Sequence, residues 1–169
     1  RFVREGEVVQ EFDRGTLSKD CGAVVVEVDD PYYERTKRFY ACPVEAILTR
    51  GFGKTVKELR AESFLLRAAD GFVKPVRGAT LFAPGCFAAF ADADLTSESE
   101  LFSKPVWEPI DRRQVDPGPF YLVWVGVPRD AGHAYPRPYQ WVEVEIASLE
   151  KFYPHIAPRG VDPSSSEAE

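Results

Sequence analysis

The chain has no methionine, two histidines and three cysteines. It also lacks any apolar run near the roughly 18 to 20 residues needed to span a bilayer. Each shortage excludes something. Without methionine the initiator has gone, through removal of a signal peptide or anchor or through shortening of the chain. His133 and His155 lack both a neighbouring cysteine pair and Glu-x-x-His spacing, so they make a poor zinc site and are read as surface residues. No Cys-x-x-Cys-His occurs, so the chain as given attaches no c-type haem. A Gly-x-Ser-x-Gly elbow and a phosphate-cradling glycine loop are missing too. Positive charge is also short: 21 Lys and Arg face 27 Asp and Glu, a net −6. That balance argues against a nucleic-acid partner held by phosphate contacts. Membrane contact would have to come through a partner or a removed anchor.

What is present suffices for one domain of 169 residues, with 44% hydrophobic and 13% aromatic residues to build a core. The clearest local signal is ESFLLRAADGFVKPV, Glu62 to Val76. Phe64, Leu66 and Ala68 share one parity and Leu65 and Arg67 the other, which predicts a strand with one wholly apolar face. Asp70-Gly71 predicts the reversal, and Pro75 confines the returning strand to an edge or a strand end.

The opening RFVREGEVVQEF reads as one strand with Val3, Val8 and Phe12 available for burial, followed by a helical turn capped by Thr16. Ala23 to Val28 reads as a strand ending at Asp29-Asp30-Pro31. A loop through the charged YYERTK then leads to a short strand, Arg38 to Cys42. Pro43 opens a helix with Val44, Ile47 and Leu48 on one face, which Gly51 and Gly53 end. A short helix over Lys54 to Arg60 precedes the hairpin. Beyond it come a Pro84-Gly85 turn, a strand at Cys86 to Ala91, an exposed polar loop from Asp92 to Lys104, and an irregular proline-rich stretch through PVWEPIDRRQVDPGP. Phe120 to Val127 predicts a strand covered on both faces. In WVEVEI, Val142, Val144 and Ile146 should be buried, with Glu143 and Glu145 outside. The domain is expected over 1–157, and the hydrophobic-poor 158–169 as a flexible tail or linker. The expected class is a single, strand-rich α+β domain with short peripheral helices.

Cys42, before Pro43 at a helix N-terminus, could have a lowered pKa, although a buried small apolar residue is the preferred reading. Cys86, in GCFAAF, reads as core. Three cysteines allow one disulfide plus a free thiol, or three buried thiols, and Cys21 could pair with either of the others. Asp92, Asp94, Thr96, Glu98 and Glu100 alternate like the start of a calcium loop. Ser97 then stands where glycine is needed and Ser103 where a bidentate glutamate is needed, which favours a solvated acidic loop. Trp107, Tyr121, Trp124, Tyr135, Tyr139 and Trp141 crowd beside prolines in the C-terminal half. They form either a partner-contact surface, for which Trp107, Tyr135, Tyr139 and Trp141 are the candidates, or the cover of a loop-rich core.

The order TLSKD, VVVEVDDPYY, RFYACPVEAIL, SFLLRAADGFVKPV, PFYLVWVGV and YPRPYQWVEVEI resembles the sulfite-oxidase-like molybdopterin-binding family in its small, single-domain form. DPGPFYLVW, the Pro-Tyr-Gln stretch and FYPHIAPRG are closest to divergent bacterial members that stand in front of c-type cytochrome domains. The likeness spans about residues 12 to 160. It implies a sulfite-oxidase-like fold. Catalytic members bind molybdenum through a cysteine between the valine-rich strand and the following helix. Here that loop is DDPYYERTKRFY, without cysteine, histidine or a glycine-rich segment, and Cys42 lies beyond it.

The resemblance therefore implies the fold without its cofactor. The expected role is an accessory or docking subunit of a periplasmic electron-transfer assembly, with a membrane electron-transfer complex or a c-type cytochrome as partner. The alternative is a molybdopterin-dependent oxidoreductase whose thiolate comes from Cys42 or Cys86. A thiol-based redox protein is a third.

Overall fold

The computed structural model describes residues 1–110 and 114–148. Its elements run β1 (Phe2–Arg4), β2 (Glu7–Gln10), α1 (Arg14–Lys19), β3 (Val24–Asp30), β4 (Arg35–Pro43), α2 (Val44–Phe52), α3 (Val56–Arg60), β5 (Ser63–Ala68), β6 (Val73–Arg77), α4 (Gly78–Leu81), β7 (Cys86–Asp92), β8 (Tyr121–Trp124) and β9 (Trp141–Ile146). The result is one strand-rich α+β domain with short helices, the class expected. The expected domain end at 157, the tail 158–169 and His155 lie outside the described residues.

Two sheets form, one ordered β2-β1-β9-β5-β6 and the other β3-β4-β7-β8. The predicted hairpin supplies β5 and β6. Asp70 Oδ1 accepts from the Phe72 amide at 3.0 Å, and Gly71 takes φ +94°, where only glycine enters without steric cost. Pro75 opposes Leu65 on β6, the outermost strand, where a missing N–H costs no ladder bond. On β5, Phe64, Leu66 and Ala68 are all buried, as the parity requires.

The second sheet is apolar on both faces, because side chains alternate along each strand. Leu122 and Trp124 of β8 join the main core, together with Phe64, Leu66, Leu48 and Val144. Tyr121 and Val123 point the other way, into a second cluster with Phe39, Ala41, Ala89 and Trp107. All four β8 residues are buried, so the strand is covered on both sides as expected, but over Tyr121–Trp124 alone: the expected run to Val127 turns away at Val125, which is 36% exposed. The cover over the second face is the proline-rich stretch, which contributes Trp107 and Ile110. It is held by isolated backbone bonds, such as that from the Asp92 amide to the Val106 carbonyl at 3.0 Å, and by side chains rather than by a continuous ladder. Thr96 Oγ1 accepts from the Val106 amide at 2.9 Å and donates to the Val106 carbonyl at 3.1 Å.

Several expectations need correction. The opening is a tight hairpin rather than one strand, since Glu5 and Gly6 turn with positive φ, and Val8 on edge strand β2 is 51% exposed. Asp13 rather than Thr16 caps α1, accepting from the Thr16 amide at 2.7 Å, because the cap must precede the first free amides. β3 runs on to Asp30 and β4 starts at Arg35, so the charged stretch is strand and Lys37 is buried. Gly51 lies inside α2, where the absent side chain leaves room for the Phe2 ring; Gly53, at φ +62°, ends the helix. The helix α4 was not foreseen. The loop after β7 is only partly exposed: Asp92, Thr96 and Leu101 are buried. On β9 a register shift opposite Arg67/Ala68 leaves Val142 exposed and Glu145 buried.

Gly78 shows how closely the hairpin base packs. A methyl group there would meet the carbonyl oxygens of Leu59, Arg60 at 2.7 Å and Glu62 at 2.8 Å, backbone atoms that cannot rotate aside. Gly78→Ala is expected to destabilise the fold by about 3 kcal/mol, as overpacking does. Urea unfolding would show this as a lower midpoint at unchanged slope; an unchanged midpoint would mean that α3 and α4 separate easily.

Candidate functional site

Cys21 follows α1 and Cys42 lies near the end of β4, with their Cα atoms 5.5 Å apart and their sulfurs joined. The bridge ties the first helix to the start of α2. It also decides among the pairings left open by the sequence, since Cys86 stays a free, buried thiol. Burial pushes the Cys86 thiol far above its ordinary pKa. The sulfur of Cys42 is thus committed to a bond, and that of Cys86 is held protonated. Among the described residues no three His, Cys, Asp or Glu side chains converge as metal ligands.

Beside the second cluster lies a buried network of charges. Lys37, whose side chain is 6% exposed, donates to Asp92 Oδ2 at 2.5 Å and to Glu108 Oε1 at 2.9 Å. Arg35 also pairs with Glu108. The Lys37 ammonium stands 4.8 Å from the centre of the Tyr33 ring, a cation–π distance. Burial alone would lower the Lys37 pKa, and the bonds to Asp92 and Glu108 reverse this, holding it above the usual lysine value. Burial likewise would raise Glu108, yet the bonds from Lys37 and Arg35 hold it below the usual carboxylate range. Asp92 Oδ1 meanwhile accepts from the amides of Asp94 and Leu95. The acidic loop is therefore fastened inward at its first residue, while Asp94 pairs with Arg38 at the surface. Asp30, 1% exposed, closes the β3–β4 turn by accepting from the Tyr32 and Tyr33 amides, and it takes a 2.6 Å bond from the Tyr121 hydroxyl. These pairings hold loops in place.

The concave feature nearest this network is a groove of about 520 Å³. Three loops build it: the β3–β4 turn with Pro31 and Tyr32, the β5–β6 turn with Asp70 and Phe72, and the segment from Arg129 to Tyr139. Tyr32 meets Tyr139 edge to face at 5.4 Å, and Tyr135 stands in the same way against the buried Trp124 at 5.1 Å. The Trp124 indole donates to the Pro136 carbonyl at 2.8 Å, anchoring the tyrosine-bearing segment to β8. Arg129 is set by Asp29, which accepts from its backbone amide at 2.9 Å and from its Nε at 2.7 Å.

The four candidate contact residues divide. Tyr135 and Tyr139 line the groove, half-buried. Trp107 is buried in the second cluster, 6.1 Å from Phe39. Trp141 is buried at the start of β9, where its indole donates to the Glu143 carbonyl, and it lines a separate cavity of about 380 Å³ with Phe2, Phe12 and Phe120. His133 is exposed at the rim of the groove. Sequence reasoning missed Tyr32, Lys74 and Arg137 as its neighbours. The available signal was the repeated juxtaposition of proline and tyrosine at Pro31-Tyr32, Tyr135-Pro136 and Pro138-Tyr139.

Two tests follow. The bridge closes a separation of 21 residues, so the paired variant Cys21→Ala/Cys42→Ala should lose about 3 kcal/mol in denaturant unfolding. The unmodified protein should titrate one thiol, only after unfolding; a second thiol would refute the pairing. Glu108, with its folded pKa lowered, adds stability present above its unfolded pKa and lost as pH falls through the folded one. Glu108→Gln should therefore cost about 1 kcal/mol at pH 7, and the difference from the unmodified protein should shrink below about pH 4.5. A pH-independent difference would mean that packing rather than charge is at stake. No protein-family model and no curated protein matches the chain.

Proposed function

We propose that the chain is a cofactor-free docking or accessory module of sulfite-oxidase-like fold, working in an extracytoplasmic, periplasmic electron-transfer assembly with a c-type cytochrome or a membrane electron-transfer complex as its partner. The observation that carries the reading is the Cys21–Cys42 bridge. Such bonds persist in oxidising compartments, and this one occupies the sulfur nearest in sequence to the loop from which the family's metal thiolate comes. The resemblance of RFYACPVEAIL, SFLLRAADGFVKPV and PFYLVWVGV to that family supports the fold, and that of DPGPFYLVW, the Pro-Tyr-Gln stretch and FYPHIAPRG supports the cytochrome association. The tyrosine–proline groove supports action by contact, since rigid aromatic side chains on loops supply contact area at low entropic cost. Among the described residues no helix is long and apolar enough to cross a membrane.

Purification from the native membrane in mild detergent, with identification of bound chains, an absorption spectrum and metal analysis, tests the reading. The expected result is a co-purifying haem protein or membrane complex, with no stoichiometric molybdenum in this chain. A lone protein carrying stoichiometric molybdenum, with the fluorescent oxidation product of its pterin, would replace the docking module with an oxidoreductase.

A further inference from the structure

We propose that the groove walled by Tyr32, Tyr135 and Tyr139 is the recognition site for an extended, acidic, proline-bearing peptide segment of a partner protein. The inference rests on the docking reading for the partner's existence, and goes beyond it in fixing where and what the chain binds.

Three observations converge on that occupant. The first is the sign of the charge. The chain as a whole carries −6, yet the described lining of this groove holds Lys74, Arg129 and Arg137 against one carboxylate, that of Asp70. Asp29, beside it, neutralises Arg129, and the Asp70 carboxylate already accepts from the Phe72 amide. Lys74 has no ion-pair partner among the described residues, and the Arg137 guanidinium donates to the Pro128 carbonyl at 3.3 Å and lies within the field of Asp29 and Asp30 without a salt bridge to either among the described residues. A positive hollow on an acidic molecule repels other acidic surfaces less than its surroundings do, and attracts a carboxylate-bearing strand locally.

The second is the aromatic geometry. Tyr32 is 40% exposed and stands nearly perpendicular to Tyr139, with interplanar angle 83°. Rings packed edge to face present one ring face beside one ring edge, an apolar corner against which a proline ring can pack. Polyproline II segments dock on tyrosine-lined grooves in this way, because they are stiff before binding and lose little entropy. The third is unused hydrogen-bonding capacity. The hydroxyls of Tyr135 and Tyr139 have no partner among the described residues, although both side chains are half-buried. They are placed to donate to peptide carbonyls, which in polyproline II are free of internal bonds.

The test uses the full chain and a fluorescein-labelled peptide of about eight residues, roughly 25 Å when extended as polyproline II, built of alternating Asp-Pro and Glu-Pro units. A Lys-Pro peptide of equal length and an acidic oligosaccharide serve as comparisons. Fluorescence anisotropy should show saturable binding of the acidic peptide alone, and amide NMR shifts should map to Tyr32, Lys74, Gly132 and Tyr139. The double charge reversal Lys74→Glu/Arg137→Glu should weaken binding about tenfold or more, near 1.4 kcal/mol, while its NMR spectrum elsewhere stays that of the folded protein. Tyr139→Ser should weaken binding at unchanged charge. Equal binding of acidic and basic peptides, shifts that map elsewhere, or binding of the oligosaccharide alone would each overturn the proposal. Native co-purification with the double variant separates this inference from the docking reading. If the unmodified chain and the variant capture the same partner equally, the groove is excluded and the docking reading stands. If the unmodified chain captures none while the peptide binds the groove, the docking reading falls and the site remains.

Discussion

A sheet that is apolar on both faces must be covered on both, and the β3-β4-β7-β8 sheet sets that condition for the rest of the chain. One face is covered by regular elements: α2, the β2-β1-β9-β5-β6 sheet and the disulfide-linked first helix. Among the described residues no helix covers the other. Its cover is irregular backbone with many prolines, which forms no continuous ladder and is fixed by isolated backbone bonds and by side chains. Trp107 supplies apolar area there, Thr96 grips Val106 at both ends of its peptide group, and Asp92 holds the start of the loop.

The buried charges serve the same purpose. A lysine ammonium placed under a loop is costly unless fully bonded, and removing one partner from such a set leaves an uncompensated charge. Lys37 satisfies this by joining β4 to the end of β7 through Asp92, and to the proline-rich cover through Glu108. Asp30 does the same for the β3–β4 turn through Tyr121. The polar residues of this face are thus fasteners, and one of the turns they fix, that between β3 and β4, walls the groove.

Much of the strand content was legible in the sequence because alternation and turn chemistry act locally. Asp70-Gly71, Pro75, the AVVVEV run and FYLVWVGV each located a strand or its end. Charged strand residues were harder to read. Arg35 to Lys37 looks like solvated loop until the partner acids are in place, and those lie more than 50 residues away in sequence. Glu145 was misplaced for a similar reason, since Arg67, its partner, comes from the central hairpin. For the groove, Tyr135 and Tyr139 were identifiable from their prolines. Trp107 and Trp141 carried the same local pattern and proved to be core, because composition does not reveal which side of a loop faces inward.

The residues between Cys21 and Cys42 hold all of β3, the turn with Tyr32 and nearly all of β4, so this hairpin is a closed covalent ring. Its exposed tip is one wall of the groove. Cleavage of that tip, at a turn where Glu34 takes φ +56°, opens the ring without dividing the molecule. Both strands stay tethered through sulfur and through their ladder. A wall of the groove that can be cut from outside is therefore one whose loss the chain's connectivity resists, for as long as its surroundings stay oxidising.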